Sequence, residues 1–224
     1  MVSLSHFFQL ILGTVVTLLP IINPLASTPV FLAITEGDPE HWRNKQAERG
    51  CLYMAAILVC FLLGGSFIMS FFGLSIPGLR IAGGLLICGI AFAMFTPPRE
   101  DEAERQRREE ARAKRDVSFS PLAMPMLSGP GSIAVTIGFT SFAIGWLDYV
   151  AIILGIGIVA VISYVTLRLS SSVVTMFGAN FMSGMTKIMA FLLLCIGIQF
   201  VVNGTLGVLT DPSLMKALRE ALHG

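Results

Sequence analysis

Pro20-Ile-Ile-Asn-Pro-Leu-Ala-Ser-Thr-Pro29 stands inside an otherwise apolar run and carries three prolines in ten residues. A proline within a helix removes a backbone donor and clashes with the preceding turn, at a cost of about 3 kcal/mol. In lipid, where no water can satisfy the loosened backbone, such a segment survives only if it is buried in protein or lines a watery cavity. The pattern returns 101 residues later as Pro121-Leu-Ala-Met-Pro-Met-Leu-Ser-Gly-Pro130, so that Pro20, Pro24, Ser27 and Pro29 fall on Pro121, Pro125, Ser128 and Pro130. The two stretches read as paired halves of one site.

The surrounding composition fixes the solvent. Of 224 residues, 54% are hydrophobic and 13% charged, against about 25% charged in a soluble domain. Six apolar blocks follow one another, at roughly 7–34, 51–72, 78–96, 117–144, 147–167 and 187–209. Blocks of about 20 apolar residues are the signature of transmembrane helices. The first block lacks a basic leader and a small-residue cleavage site, so it reads as a retained helix. The net charge of +1 is not gathered into a basic face and argues nothing for a nucleic-acid partner, so none is expected; the lipid bilayer is the partner the sequence announces.

Lys and Arg in the connecting segments set an expected orientation. Segments 36–50, 97–116 and 168–187 carry twelve of them, including Arg43, Lys45, Arg49, Arg168 and Lys187. The opposite side carries three, Arg80, Lys216 and Arg219. Both termini are therefore expected outside the plasma membrane, and the charged loop 97–116 in the cytoplasm. Within that loop, spacings such as Glu104 with Arg108 suit a solvated helix or linker, and Pro212–His223 suits a short interfacial helix.

A second likeness between the halves joins Arg80-Ile-Ala-Gly-Gly-Leu-Leu-Ile-Cys88 to Lys187-Ile-Met-Ala-Phe-Leu-Leu-Leu-Cys195. Three helices per half force the second half to enter from the opposite face, the inverted-topology plan of many secondary transporters. The expected fold is all-α: six transmembrane helices in two inverted three-helix repeats, the first and fourth broken at prolines. Residues 1–96 and 117–210 form the repeats, 97–116 the loop and 211–224 a tail. Two misfits remain. Pro24 and Pro125 both lie toward the cytoplasmic ends of their blocks, where an exact inversion would mirror their depths, and the apolar stretch 7–15 maps onto charged residues 108–116. Either the first part of the fourth block is a short re-entrant or amphipathic piece, or the symmetry is only local.

Several of these stretches resemble the MarC family of membrane proteins. They are Asn23-Pro24 with Pro29, Phe72-Gly-Leu-Ser-Ile-Pro-Gly-Leu-Arg-Ile-Ala-Gly-Gly84, Pro121-Leu-Ala-Met-Pro125, Gly129-Pro-Gly131 and Cys195-Ile-Gly-Ile-Gln-Phe-Val-Val-Asn-Gly204. The likeness covers nearly the whole chain and looks nearest to the family's bacterial branch. It implies an inner-membrane protein and, by way of archaeal relatives described as transporters, a small neutral amino acid such as glycine or alanine as substrate.

The residues give that substrate a site. Pro29 and Pro130 suit the first position of a resumed helix, where a missing N–H costs nothing. Thr28 and Gly129 would then be N-caps, with Ser27 and Ser128 just before them. Helix starts collect unpaired N–H groups and suit a carboxylate, while hydroxyls and unwound carbonyls near Ile22 and Met124 suit an ammonium group. Small residues at Ala26, Gly129 and Gly131 allow close approach. Asn23, Pro24 and Pro125 complete the motifs. Against this stands plain kinking, in which Ser and Thr bond back to the preceding turn. Gln199 and Asn203, one turn apart, either line the pathway or bond between helices.

Other classes are poorly served. Cys51, Cys60, Cys88 and Cys195 show no metal or redox spacing and read as small core residues. His6, His41 and His223 are scattered, and Gly129-Pro-Gly131 lacks the Lys and Ser/Thr of a phosphate loop. An intramembrane enzyme would need a carboxylate pair, a metal set or a Ser–His pair at membrane depth, and none is in view. No cofactor is implied; a coupling ion, H+ or Na+, stays open. The alternative to transport of a small polar solute is binding or translocation of a phosphate-bearing lipid at the same helix starts. Small residues recur too often to locate an oligomer face.

Overall fold

The structure, a computed structural model, describes residues 4–95, 116–140, 142, 143 and 145–210. The loop 97–115 and the tail 211–224, with the helices expected there, lie outside the described residues. Among those described, every regular element is helical. Five helices are long and apolar enough to cross a membrane, and a bent pair makes up to six.

Helix α1 runs Leu4–Ile22 and α2 Pro24–Ile34. Helix α3, Glu40–Phe71, is 32 residues long, or about 48 Å. That exceeds a hydrocarbon core of about 30 Å, so its first turns project beyond it. This corrects the expectation of a loop at 36–50. The charges of Arg43, Lys45 and Arg49 belong to a helix that outruns the membrane, with Lys45 and Arg49 against the Trp42 ring. Helix α4 covers Ile76–Phe95. An irregular segment, Ser118–Leu127, then leads through a 66° bend into α5, Pro130–Phe139. Helix α6 is Trp146–Arg168 and α7 is Ser170–Leu209. The expected loop 168–187 is thus mostly helical, interrupted at Leu169 between the two helices and at Gly178 (φ +70°, ψ 164°), a backbone state nearly confined to glycine.

The perimeter is apolar as well as the interior. Phe67 (70% exposed), Leu12 (64%) and Leu85 (60%) stand bare on the perimeter, a pattern that marks contact with lipid. The interior joins α1 to α7 through fully buried Leu18, Phe31, Leu58, Ile87, Val135, Ile152 and Leu193. Cys51 belongs to this core, but Cys60 and Cys195 are exposed and Cys88 half-buried, so the reading of all four as core residues holds for one.

Helices α4 and α7 pack antiparallel along most of their lengths, and glycine makes this possible. A Cβ on Gly84 would lie 2.6 Å from the Gly197 carbonyl oxygen, and one on Gly204 2.8 Å from the Pro77 carbonyl oxygen. Helix α3 packs on α6. The pair α1–α2 lies against α6, and the Ser118–Leu127 segment with α5 lies against α3.

Polar latches tie the halves at both ends of α6. At its start, His6 Nδ1 lies 3.5 Å from Asp148 Oδ1, and Asp148 Oδ2 accepts from the Gly145 N–H. Near its other end, Arg43 donates to Ser171. On that side Gln46 accepts from the Val117 N–H at 3.0 Å and Arg49 pairs with Asp116 at 3.2 Å. The hydroxyl and N–H of Ser118 hold the Asp116 carboxyl below its ordinary value of 3.8, with Arg49 adding to the effect. A carboxyl lowered by folding adds stability above its unfolded pKa and loses it as pH falls through the folded one. Acidification from pH 4 downward is therefore expected to loosen this end, and Asp116→Asn to flatten that dependence in thermal unfolding measured against pH. The effect is small, because both side chains are more than one-third exposed.

Candidate functional site

Each break follows from the residue before a proline, which is pushed out of the right-handed helical region. Asn23 precedes Pro24 and adopts the left-handed conformation, φ 41° and ψ 65°, which Asn tolerates better than most side chains. It is the N-cap of α2, with Oδ1 accepting from the Ala26 N–H at 3.4 Å and Pro24 at the first position. The expected cap at Thr28 is thereby corrected: Thr28 and Pro29 lie inside α2. Thr28 Oγ1 donates back to the Pro24 carbonyl at 2.9 Å, and Ser27 Oγ to the Asn23 carbonyl at 3.4 Å.

The second break is where the sequence placed it. Gly129 is the extended N-cap of α5 (φ −72°, ψ 173°), and Pro130 is its first residue. Upstream, Ser120 and Met124 are extended, each before a proline, and both X–Pro bonds are cis. Between them the chain makes wide turns: the Leu122 N–H bonds to the Val117 carbonyl, and the Ser128 N–H and hydroxyl both reach the Ala123 carbonyl. Pro125 lies in this segment.

The breaks adjoin. A Cβ on Gly131 would meet Ile90 Cδ1 at 2.8 Å and Ile21 Cγ2 at 3.6 Å. The start of α5 thus lies beside the residue two before Asn23, and a side chain at Gly131 would oblige the end of Ile90 to move. The helical lengths after the breaks match, 11 residues in α2 and 10 in α5. Those before them do not, 19 residues in α1 against 10 in the irregular segment. Of residues 108–116, onto which 7–15 maps, 108–115 lie outside the described residues.

The side chains of the region are uncharged and include a donor without a partner. Asn23, 6% exposed, has its Nδ2 buried with no hydrogen-bond partner. No side chain caps the N-terminus of α5, whose first N–H groups have no partner within the helix. Ser27, Thr28, Ser128, Ser132 and Thr136 are all buried. Their protons go to backbone carbonyls, Ser132 to Gly129 at 2.9 Å and Thr136 to Ser132 at 2.7 Å. Their oxygens keep lone pairs for a donor. Back-bonding hydroxyls and a helix break, first set against each other, therefore coexist. Sequence reading missed Ser132 and Thr136, although they continue from Ser128 at four-residue spacing.

Gln199 and Asn203 are not brought to the breaks. They lie on an exposed face of α7, with Gln199 Nε2 donating to Asn203 Oδ1 at 2.9 Å. Arg80 reaches the loop after α5, its guanidinium 5.0 Å from the Phe142 ring centre. Asp148, 1% exposed, is the one fully buried charged residue among those described.

Comparison with known proteins matches residues 8–209 to the family described as MarC family integral membrane proteins. The chain belongs to the MarC family. Among curated MarC relatives, UPF0056 inner membrane protein MarC of Escherichia coli strain K12 and that of Shigella flexneri are each 37% identical over 218 residues. The match covers 92% of this chain and 98% of each relative. No solved structure matches this MarC chain.

Proposed function

We propose that this chain is a secondary transporter of the bacterial inner membrane that carries a small neutral amino acid past the paired breaks. The observation that carries the reading is Asn23 Nδ2, a buried donor without a partner at the start of α2. Leaving such a donor unpaired costs about 1–3 kcal/mol, a cost a carboxylate removes. The uncapped start of α5 supplies further donors, and the hydroxyl oxygens of Ser27, Thr28 and Ser128 accept from an ammonium group. A surround without formal charge favours a solute of zero net charge, since burying an unpaired ion is far more expensive. Small size suits Gly131, where the end of Ile90 already comes within 2.8 Å of the place a Cβ would take.

Alternating access between inverted halves suits the packing. Exchanging the halves leaves α3 on α6 and α4 on α7, and turns the contact of α1–α2 with α6 into that of the second broken pair with α3. Six crossings are supported by the ends of the bent pair. Val117 meets Gln46 near the start of α3, and Phe142 meets Arg80 near the start of α4. Successive helices start at opposite faces, so the pair traverses the bilayer. The Lys and Arg bias supports termini outside.

The test is uptake of labelled alanine, glycine and serine into proteoliposomes, with Thr28→Leu and Ser128→Leu beside the parent. Both positions are buried, at 0% and 1% exposure, so added bulk fills the region. Saturable uptake, competed by unlabelled amino acid and abolished in both variants, is expected. Folded protein that moves none of the three contradicts the reading.

A further inference from the structure

Helix α7 turns Gly197, Val201 and Gly204 toward α4 and leaves the opposite face bare. Half a turn round stand Ile188, Leu192, Cys195, Gln199, Val202 and Leu206, every one exposed. Their spacing alternates four and three, the 3.5-residue period of a helix seam that coils around a partner. One layer of the seam is polar. Gln199 lies ten residues before Leu209, the end of its span, or about 15 Å, half the thickness of a hydrocarbon core of about 30 Å. Its bond to Asn203 uses one donor and one acceptor. Gln199 Oε1 and the Asn203 amide N–H groups are left at a depth where lipid supplies neither.

We propose that this face is a self-association surface, on which α7 packs in parallel against α7 of a second copy about a twofold axis normal to the membrane. The occupant is named by complementarity. Each Gln199–Asn203 pair presents both an acceptor and donors, so two copies satisfy each other. A twofold axis normal to the membrane sets residue 199 opposite its own equivalent, and a single polar layer in an apolar seam is what fixes register between identical helices. The inference rests on the chain's place in the membrane and is independent of what it transports.

Cys195 lies in the same seam, one turn from Gln199, and reports on it directly. The full-length chain is made with Cys195 alone (Cys51→Ala, Cys60→Ala, Cys88→Ala) and oxidised in native membranes with copper phenanthroline. A disulfide-linked dimer is expected. The comparison is the chain with Cys60 alone (Cys51→Ala, Cys88→Ala, Cys195→Ala), whose thiol is also exposed but on α3. It should give only the background of random collision. Adding Gln199→Leu to the Cys195-only chain should lower dimer yield about threefold or more, the scale of one interhelical polar contact in a membrane. No Cys195 dimer, equal yields from Cys60 and Cys195, or a yield indifferent to Gln199→Leu would each overturn the proposal.

Discussion

Asn23→Gly is expected to raise the half-saturation concentration for amino-acid uptake roughly 10- to 150-fold while the protein stays folded. The range corresponds to losing one donor to a charged group, about 1.5–3 kcal/mol. Glycine is the informative choice because the native φ of 41° costs it nothing. As a helix cap it replaces Asn at a loss of only a few tenths of a kcal/mol. Asn23→Leu removes the same amide and also forces a bulky side chain into the left-handed region, at about 1–2 kcal/mol. It should therefore lose both activity and thermal stability. Radiolabel uptake together with a melting curve in detergent separates the effects. If Asn23→Gly transports with unchanged half-saturation, the amide does not bind the solute.

Gly84→Ala is expected to cost about 1–3 kcal/mol of stability, the range for forcing a methyl into a close-packed contact. The new Cβ would sit 2.6 Å from the Gly197 carbonyl oxygen and 2.9 Å from the Val201 nitrogen. Both are backbone atoms of α7 that no rotamer change can move, so the α4–α7 pair must part. Gly83→Ala, one residue away, would place its Cβ 3.5 Å from Ala134 Cβ, an ordinary contact. It should leave the melting temperature unchanged or raise it, because Ala restricts the unfolded chain more than Gly. Equal effects of the two substitutions would mean that α4 and α7 do not pack through Gly84.

How far the sequence could be read depended on the range of the force involved. Proline acts on its own backbone and on the residue before it, so both breaks were legible, and the second was placed to the residue at Gly129-Pro130. The first was displaced by five residues, because Asn23-Pro24 and Thr28-Pro29 offer the same local signal. The choice between them rests on Asn tolerating φ 41°. Hydropathy found the spans but not the helix ends. Arg43 and Lys45 look like a loop and sit on a helix, and the polar run from Ser170 continues as helix until Gly178. The close pairing of Gly84 with Gly197, the latch of His6 on Asp148 and the bare face holding Gln199 depend on how helices meet across more than 100 residues of chain. No local pattern records them.

The central claim is that the two breaks enclose one solute site reached in turn from each side. The direct measurement is thiol labelling of Ser128→Cys in a chain freed of its own cysteines, in vesicles of known orientation, with a membrane-impermeant maleimide applied from either side. Labelling from both sides, slowed in each case by saturating alanine, is the expected result. Labelling from one side only, or at a rate indifferent to alanine, would contradict it.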